Sequence, residues 1–135
     1  MASHDGRLDF IAAPAGDVAL IVLAASRKAG SEGHRLVVYS CTPKSEACTR
    51  FKAAALKGDL DLSIHNVTFL EFDGELDHDR LVASGYTSTV MPLFVLPGPD
   101  GRASSTFVEG AAGKGPVVSF MAMRLQRMLG TPTTP

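Results

Sequence analysis

The chain of 135 residues contains no tryptophan, two cysteines and almost no net charge. Two cysteines are too few for a disulfide scaffold, and they do not decide the redox compartment. A formal net charge of −1 suggests no nucleic-acid partner and no anionic-membrane partner. The composition therefore predicts an ordinary globular domain, long enough to bury a core without metal or disulfide staples.

Long apolar runs are also missing, so no stretch of the sequence is long enough to span a bilayer as a helix. The longest run, Val18–Ala25, follows three aspartates rather than a basic segment, which is not the pattern of a signal peptide. The sequence predicts a soluble form without membrane insertion, and it leaves open whether this form is cytoplasmic or exported with its leader removed. We predict one domain over residues 1–130 and a disordered tail over 131–135.

The most informative stretch is Arg35–Lys57, which predicts a buried strand, a short turn and a helix. Both cysteines, Cys41 and Cys48, fall at this strand-to-helix junction. A helix start presents unpaired N–H groups and the positive end of the helix dipole, and this environment lowers the pKa of a cysteine. Any chemistry is therefore expected at this junction.

Apolar runs alternate with turn residues along the rest of the chain. Asp17 and Gly30 mark the two ends of a first helix, although Val18–Leu23 is also compatible with a buried strand. The resulting order, β-α-β-α-β-α-β-β-α, predicts an α/β fold with a central mixed sheet and helices on both faces. The predicted strands are Leu8–Ala13, Arg35–Ser40, Val67–Phe72, Val90–Leu96 and Ala103–Glu109, and the predicted helices are Val18–Ala29, Ser45–Lys57, Asp79–Ser84 and Pro116–Leu129.

This element order, with these residues at its joints, resembles the thioredoxin fold over nearly the whole chain. Three features carry the resemblance: the strand, turn and helix around Cys48, the strand start at Val90–Pro92, and the glycine-rich segment Gly110–Gly115. The second feature is similar to the position at which thioredoxins have a cis-proline. The resemblance implies a thioredoxin-like domain with a groove beside Pro92, where the backbone of Met91 would be offered to an extended peptide.

The chain departs from thioredoxins at the motif that carries their chemistry. Thioredoxins have Cys-x-x-Cys at the helix start, whereas this chain has Ser-x-x-Cys from Ser45 to Cys48. A helix dipole does not deprotonate a serine hydroxyl, so dithiol exchange through that pair is excluded. The resemblance implies first a redox-inactive module that binds a protein or peptide over Ser45, Met91 and Pro92. It implies second an atypical thiol–disulfide oxidoreductase that uses Cys48, with Cys41 as a tentative partner.

Whether Cys41 can reach Cys48 depends on the residue that caps the helix. With Thr42 as the cap, the cysteines are about two turns apart, roughly 10 Å between Cα atoms. That separation is beyond the limit of about 7 Å for a disulfide. With Ser45 as the cap, residues 42–44 are loop, and the chain can fold Cys41 back to Cys48. The sequence leaves both arrangements open.

A peroxidase remains as a third candidate for the function, whereas no metal site is expected. Ser-x-x-Cys is also similar to the peroxiredoxin motif, in which Cys48 would be the peroxidatic residue, although Pro43 is displaced from the peroxiredoxin position. We predict no metal site and no cofactor. The histidines are scattered over predicted loops without metal spacing and are expected on the surface: His4, His34, His65 and His78.

Overall fold

The computed structural model describes residues 8–58, 64–87, 92–109 and 117–130. Within these residues the chain forms five strands and four helices in the predicted order. None of the helices in this part of the chain is long and apolar enough to cross a membrane. The predicted tail at 131–135 lies outside the described residues. The elements are β1 (Leu8–Ala12), α1 (Val18–Ser31), β2 (Arg35–Cys41), α2 (Glu46–Lys57), β3 (Val67–Asp73), α3 (His78–Ala83), β4 (Leu93–Pro97), β5 (Ala103–Glu109) and α4 (Val117–Gly130).

The strands form one mixed sheet in the order β1-β3-β2-β4-β5. β1, β3 and β2 are parallel, whereas β4 is antiparallel to β2, and β5 is antiparallel to β4. β2 is the middle strand, as its continuous apolar run predicts, and every residue after Arg35 is buried. Because β1, β2 and β3 run in the same direction, their C-terminal ends meet at one edge of the sheet. Cys41, the last residue of β2, lies at that edge.

The helices cover both faces of the sheet, which confirms the predicted layering. On one face, α2 and α4 pack over a cluster that includes Phe51, Phe69 and Leu125. On the other face, α1 and α3 pack over a second cluster that includes Val22. Side chains alternate along β2, so Cys41 points to the α2 face and belongs to the first cluster.

The structure decides between helix and strand for the first apolar run, and it moves the predicted end of helix α1. Val18–Leu23 is helical, and the Asp17 carboxylate caps the helix by accepting a hydrogen bond of 3.0 Å from the backbone N–H three residues later. Gly30 does not end the helix, since α1 continues to Ser31. A left-handed backbone follows at Gly33, which has a φ of 77°.

The start of β4 lies beside the end of β2. Pro92, which the sequence placed inside the strand, directly precedes β4 and is buried. The antiparallel register pairs Ser40 of β2 with Leu93 of β4. Extending that register by one residue sets Pro92 beside Cys41. Met91 lies outside the described residues.

Candidate functional site at the Cys41–Cys48 disulfide

Ser45 caps helix α2, and this cap decides the geometry of both cysteines. The Ser45 hydroxyl accepts a hydrogen bond of 3.2 Å from the backbone N–H of Cys48. Helix α2 begins at Glu46, directly after Ser45. Residues 42–44 therefore form a loop, which is closed by a hydrogen bond of 3.1 Å from the Ser45 N–H to the Thr42 carbonyl. Of the two arrangements that the sequence leaves open, the structure has the one in which Cys41 folds back.

Cys41 and Cys48 are joined by a disulfide, with 5.9 Å between their Cα atoms. The bond ties the last residue of β2 to the first turn of α2. These are the two cysteines of the chain, so no cysteine is free. Cys41 is 5% exposed and Cys48 is 4% exposed. The structure thus brings the two candidate catalytic residues together as a covalent pair in the edge of the core.

A buried tyrosine supports the first turn of α2 from the sheet side. The Tyr39 hydroxyl donates a hydrogen bond of 3.4 Å to the Cys48 carbonyl, and the Tyr39 ring packs against Phe51 and Phe94. Burial, and to a smaller degree the negative charge of Glu71, raises the pKa of Tyr39 well above its ordinary value. The hydroxyl therefore stays protonated, and remains a donor, throughout the pH range in which thiols titrate.

The disulfide lies in the wall of an open cleft of about 610 Å³ at the C-terminal edge of the parallel strands. Open α/β sheets commonly bind ligands at this edge. Lys52 and Glu71 line the cleft and form an ion pair, with 2.8 Å between Nζ and Oε1. Apolar residues form much of the remaining wall, and they include Ala12, Pro43 and Leu56. The cleft thus combines an apolar surface with the Lys52–Glu71 ion pair and two further acidic residues, Asp73 and Asp77.

Neither Ser45 nor Pro92, the two predicted peptide-binding residues that the structure describes, is among the residues that line this cleft. The Ser45 hydroxyl is already engaged as the cap of α2, so a direct role in binding stays a prediction. Pro92 lies beside the end of β2 by register. Met91 is outside the described residues, and the peptide-binding edge expected there also stays a prediction.

Three residues of the site were missed by the sequence analysis: Tyr39, Lys52 and Glu71. A signal existed for two of them. Lys52 follows Cys48 by four residues and therefore lies on the same side of α2, and Glu71 interrupts an otherwise apolar strand. The meeting of Lys52 with Glu71 depends on how α2 packs over β3, and no local pattern contains that information.

Comparison of the chain with protein-family models, with curated proteins and with solved structures found no match. The function proposed below therefore rests on the geometry of the site and on the sequence resemblance described above.

Replacing Ser45 by alanine is expected to lower the free energy of unfolding by about 1 kcal/mol, because the N–H of Cys48 loses its acceptor at the start of α2. Urea denaturation of the oxidised protein measures the change. Ser105→Ala is the matched control, because Ser105 is exposed on β5 and its replacement should change stability by less than about 0.5 kcal/mol. Equal effects of the two substitutions would contradict the cap.

Proposed function

We propose that the chain is a thioredoxin-like domain that exchanges its Cys41–Cys48 disulfide with the disulfide or thiols of a protein or peptide. The observation that carries the proposal is the disulfide itself, in the wall of a cleft at the strand-to-helix junction. The resemblance to thioredoxins puts the redox motif at this same junction. Cys41 supplies the thiol that Ser45 cannot.

On sequence alone the redox-inactive binding module ranks first, because the first cysteine of the thioredoxin motif is missing. That reasoning assumes that Cys48 has no partner. Cys41, at the end of β2, is such a partner. A redox dithiol needs two sulfur atoms within bonding distance, and it does not need a particular spacing along the chain. The distance of 5.9 Å between the Cα atoms of Cys41 and Cys48 lies within the usual range.

Exchange requires one cysteine to attack and the other to resolve. In the reduced domain, Cys48 lies in the first turn of α2, where the positive end of the helix dipole favours a thiolate. This thiolate attacks a substrate disulfide, the Cys48–substrate bond forms, and the other substrate sulfur leaves as a thiolate. Cys41 then attacks the Cys48 sulfur, the internal disulfide forms, and the second substrate thiolate leaves.

The electrons and protons of this cycle balance. The domain gives up two electrons and two protons, and the substrate disulfide becomes two thiols. The reverse sequence, with an external dithiol as the reductant, restores the reduced domain. No cofactor enters either direction.

Docking of the substrate is assigned to the cleft and to the edge beside Pro92. An extended peptide would lie along the end of β2, with apolar side chains on the cleft wall near Pro43 and Leu56. The wall carries the positive charge of Lys52 and the acidic residues Glu71, Asp73 and Asp77. These features suit a protein or peptide better than a small charged metabolite.

The binding module remains the second candidate, and burial of the cysteines favours it. With Cys41 5% exposed and Cys48 4% exposed, an incoming thiolate has little access to either sulfur. In this second candidate the disulfide fixes the shape of the cleft. The partner would then bind the same wall without exchange.

A thiol count and a redox titration decide between the two candidates. We expect no free thiol in the native oxidised protein, two thiols after mild reduction without unfolding, and a reduction potential above about −300 mV in dithiol redox buffers. A disulfide that is reduced only after denaturation, or at a potential below that value, would overturn exchange and leave the binding module. Consumption of hydrogen peroxide by the reduced protein would favour the peroxiredoxin-like alternative instead.

A further inference from the structure

A cluster of polar side chains lies at the N-terminal end of the parallel strands, the end opposite the disulfide. It consists of Asp9 on β1, Glu32 directly after α1, and His34 directly before β2. The sequence analysis expected all four histidines on the surface, and for His34 this is wrong, since its side chain is 5% exposed. Its Nδ1 lies 3.0 Å from the Oγ1 of Thr68 on β3.

The ligand atoms of Asp9, Glu32 and His34 all lie within 4.8 Å of one another. His34 Nδ1 and Asp9 Oδ2 are 3.8 Å apart. Two atoms bound tetrahedrally to one Zn²⁺ at about 2.0–2.1 Å are roughly 3.4 Å apart. The imidazole and the Asp9 carboxylate are therefore within a few tenths of an ångström of that spacing. Glu32 is exposed at the end of a helix and is free to swing inward.

The charges of the cluster are one-sided. Within the described part of the chain, neither Asp9 nor Glu32 forms an ion pair with a lysine or an arginine. Two carboxylates close together repel each other unless a cation lies between them. The buried imidazole directs such a cation toward the transition metals, because imidazole suits Zn²⁺ and carboxylates alone suit Mg²⁺ or Ca²⁺.

We infer that Asp9, Glu32 and His34 form a binding site for a divalent transition metal ion, with Zn²⁺ as the expected ion. The set of one imidazole and two carboxylates leaves a fourth position for water, because Zn²⁺ takes four ligands in such sites. Asp9 is 39% exposed, which gives the ion a path from solvent. The site is far from the disulfide in the fold and does not depend on the proposed exchange reaction.

The Thr68 hydroxyl occupies the nitrogen of His34 that the ion would need. It is bound to the same nitrogen, His34 Nδ1, that faces Asp9. An ion held by Nδ1 must displace this buried hydroxyl. Thr68 therefore competes with the ion. Replacing it by valine keeps the shape and the β-branch, removes the competitor, and should leave the affinity for Zn²⁺ unchanged or raise it.

The test is a titration of the oxidised, untagged full chain with Zn²⁺ by calorimetry, and with Co²⁺ by absorption spectroscopy. The disulfide keeps both cysteines from binding the ion. We expect one ion per chain and a rise in the unfolding temperature on saturation. Asp9→Asn and Glu32→Gln should each weaken binding by about tenfold or more, and His34→Asn should abolish it.

Two matched controls remove the same groups elsewhere. His78→Gln and Asp79→Asn replace exposed residues at the start of α3 and should leave the affinity unchanged. Absence of saturable binding to the wild type would overturn the site. Equal losses of Zn²⁺ affinity in the control variants, or loss of Zn²⁺ binding in Thr68→Val, would also overturn the site. Because Asp9→Asn and Glu32→Gln change partly or fully exposed side chains, the test stands even if His34→Asn does not fold.

Discussion

Cys41→Ser is expected to stop turnover of a disulfide substrate and to leave the substrate covalently attached to Cys48. The Cys48 thiolate in the first turn of α2 can still attack, but no second sulfur remains at the end of β2 to resolve the mixed disulfide. Incubation of the reduced variant with a peptide that carries one disulfide, followed by mass spectrometry without reductant, should show one peptide thiol added to Cys48. The wild type should show the internal disulfide and free peptide thiols.

Cys48→Ser is the matched control for this experiment, because it removes the same disulfide. The bond closes a short loop with a sequence separation of 7. Each variant should therefore lose a similar free energy of unfolding, about 2 kcal/mol by the entropy of loop closure. The variants should differ in chemistry: Cys48→Ser should form far less adduct, since Cys41 lies at a strand end without a helix dipole. A larger adduct on Cys41 than on Cys48 would reverse the assigned roles, and no adduct on either would favour the binding module.

The order of the elements could be predicted because each element has its own local signal. The continuous apolar run of β2 predicts a central strand, and the turn at Pro97–Gly101 predicts the hairpin of β4 and β5. The position of both cysteines at one junction is equally local. These signals survive in the structure because they agree with the packing of the sheet and its helices.

The choice of helix cap could not be predicted, although the disulfide depends on it. Thr42 followed by Pro43 and Ser45 followed by Glu46 are both acceptable helix starts. What separates them is the packing of α2, since Phe51 must lie over the rings of the sheet, and this places the helix along β2 and β3. That information is tertiary, and a reading of the local sequence does not contain it.

The cluster of Asp9, Glu32 and His34, for which a metal ion is proposed, was missed for a related reason. His34 follows a polar turn, so its local sequence predicts exposure. Its burial comes from Thr68, which is 34 residues later in the chain, and from Asp9 on β1. Parallel pairing sets Asp9 beside Thr68, and the crossover through α1 brings Glu32 and His34 to the same end of the sheet. Metal spacing along the sequence cannot reveal a site that three separate segments build.

Phe69→Ala is expected to lower the free energy of unfolding by about 4 kcal/mol, the largest effect of any substitution considered for this fold. Phe69 is fully buried on β3. Its ring centre lies 4.9 Å from that of Phe10, 5.7 Å from those of Tyr39 and Phe51, and 5.9 Å from that of Phe94. The substitution removes four aromatic contacts at once and leaves a cavity between the sheet and α2.

The matched control is Phe107→Ala, because Phe107 is a phenylalanine on β5 with 52% of its surface exposed. Its loss should cost less than about 1 kcal/mol. Urea denaturation of both variants in the oxidised state measures the difference. Phe69→Ala should also loosen the contact of Tyr39 with the first turn of α2, so its disulfide should be reduced faster than that of the wild type. A cost for Phe69→Ala no larger than that for Phe107→Ala would contradict the aromatic core, and with it the support that this core gives to the cysteine-bearing turn.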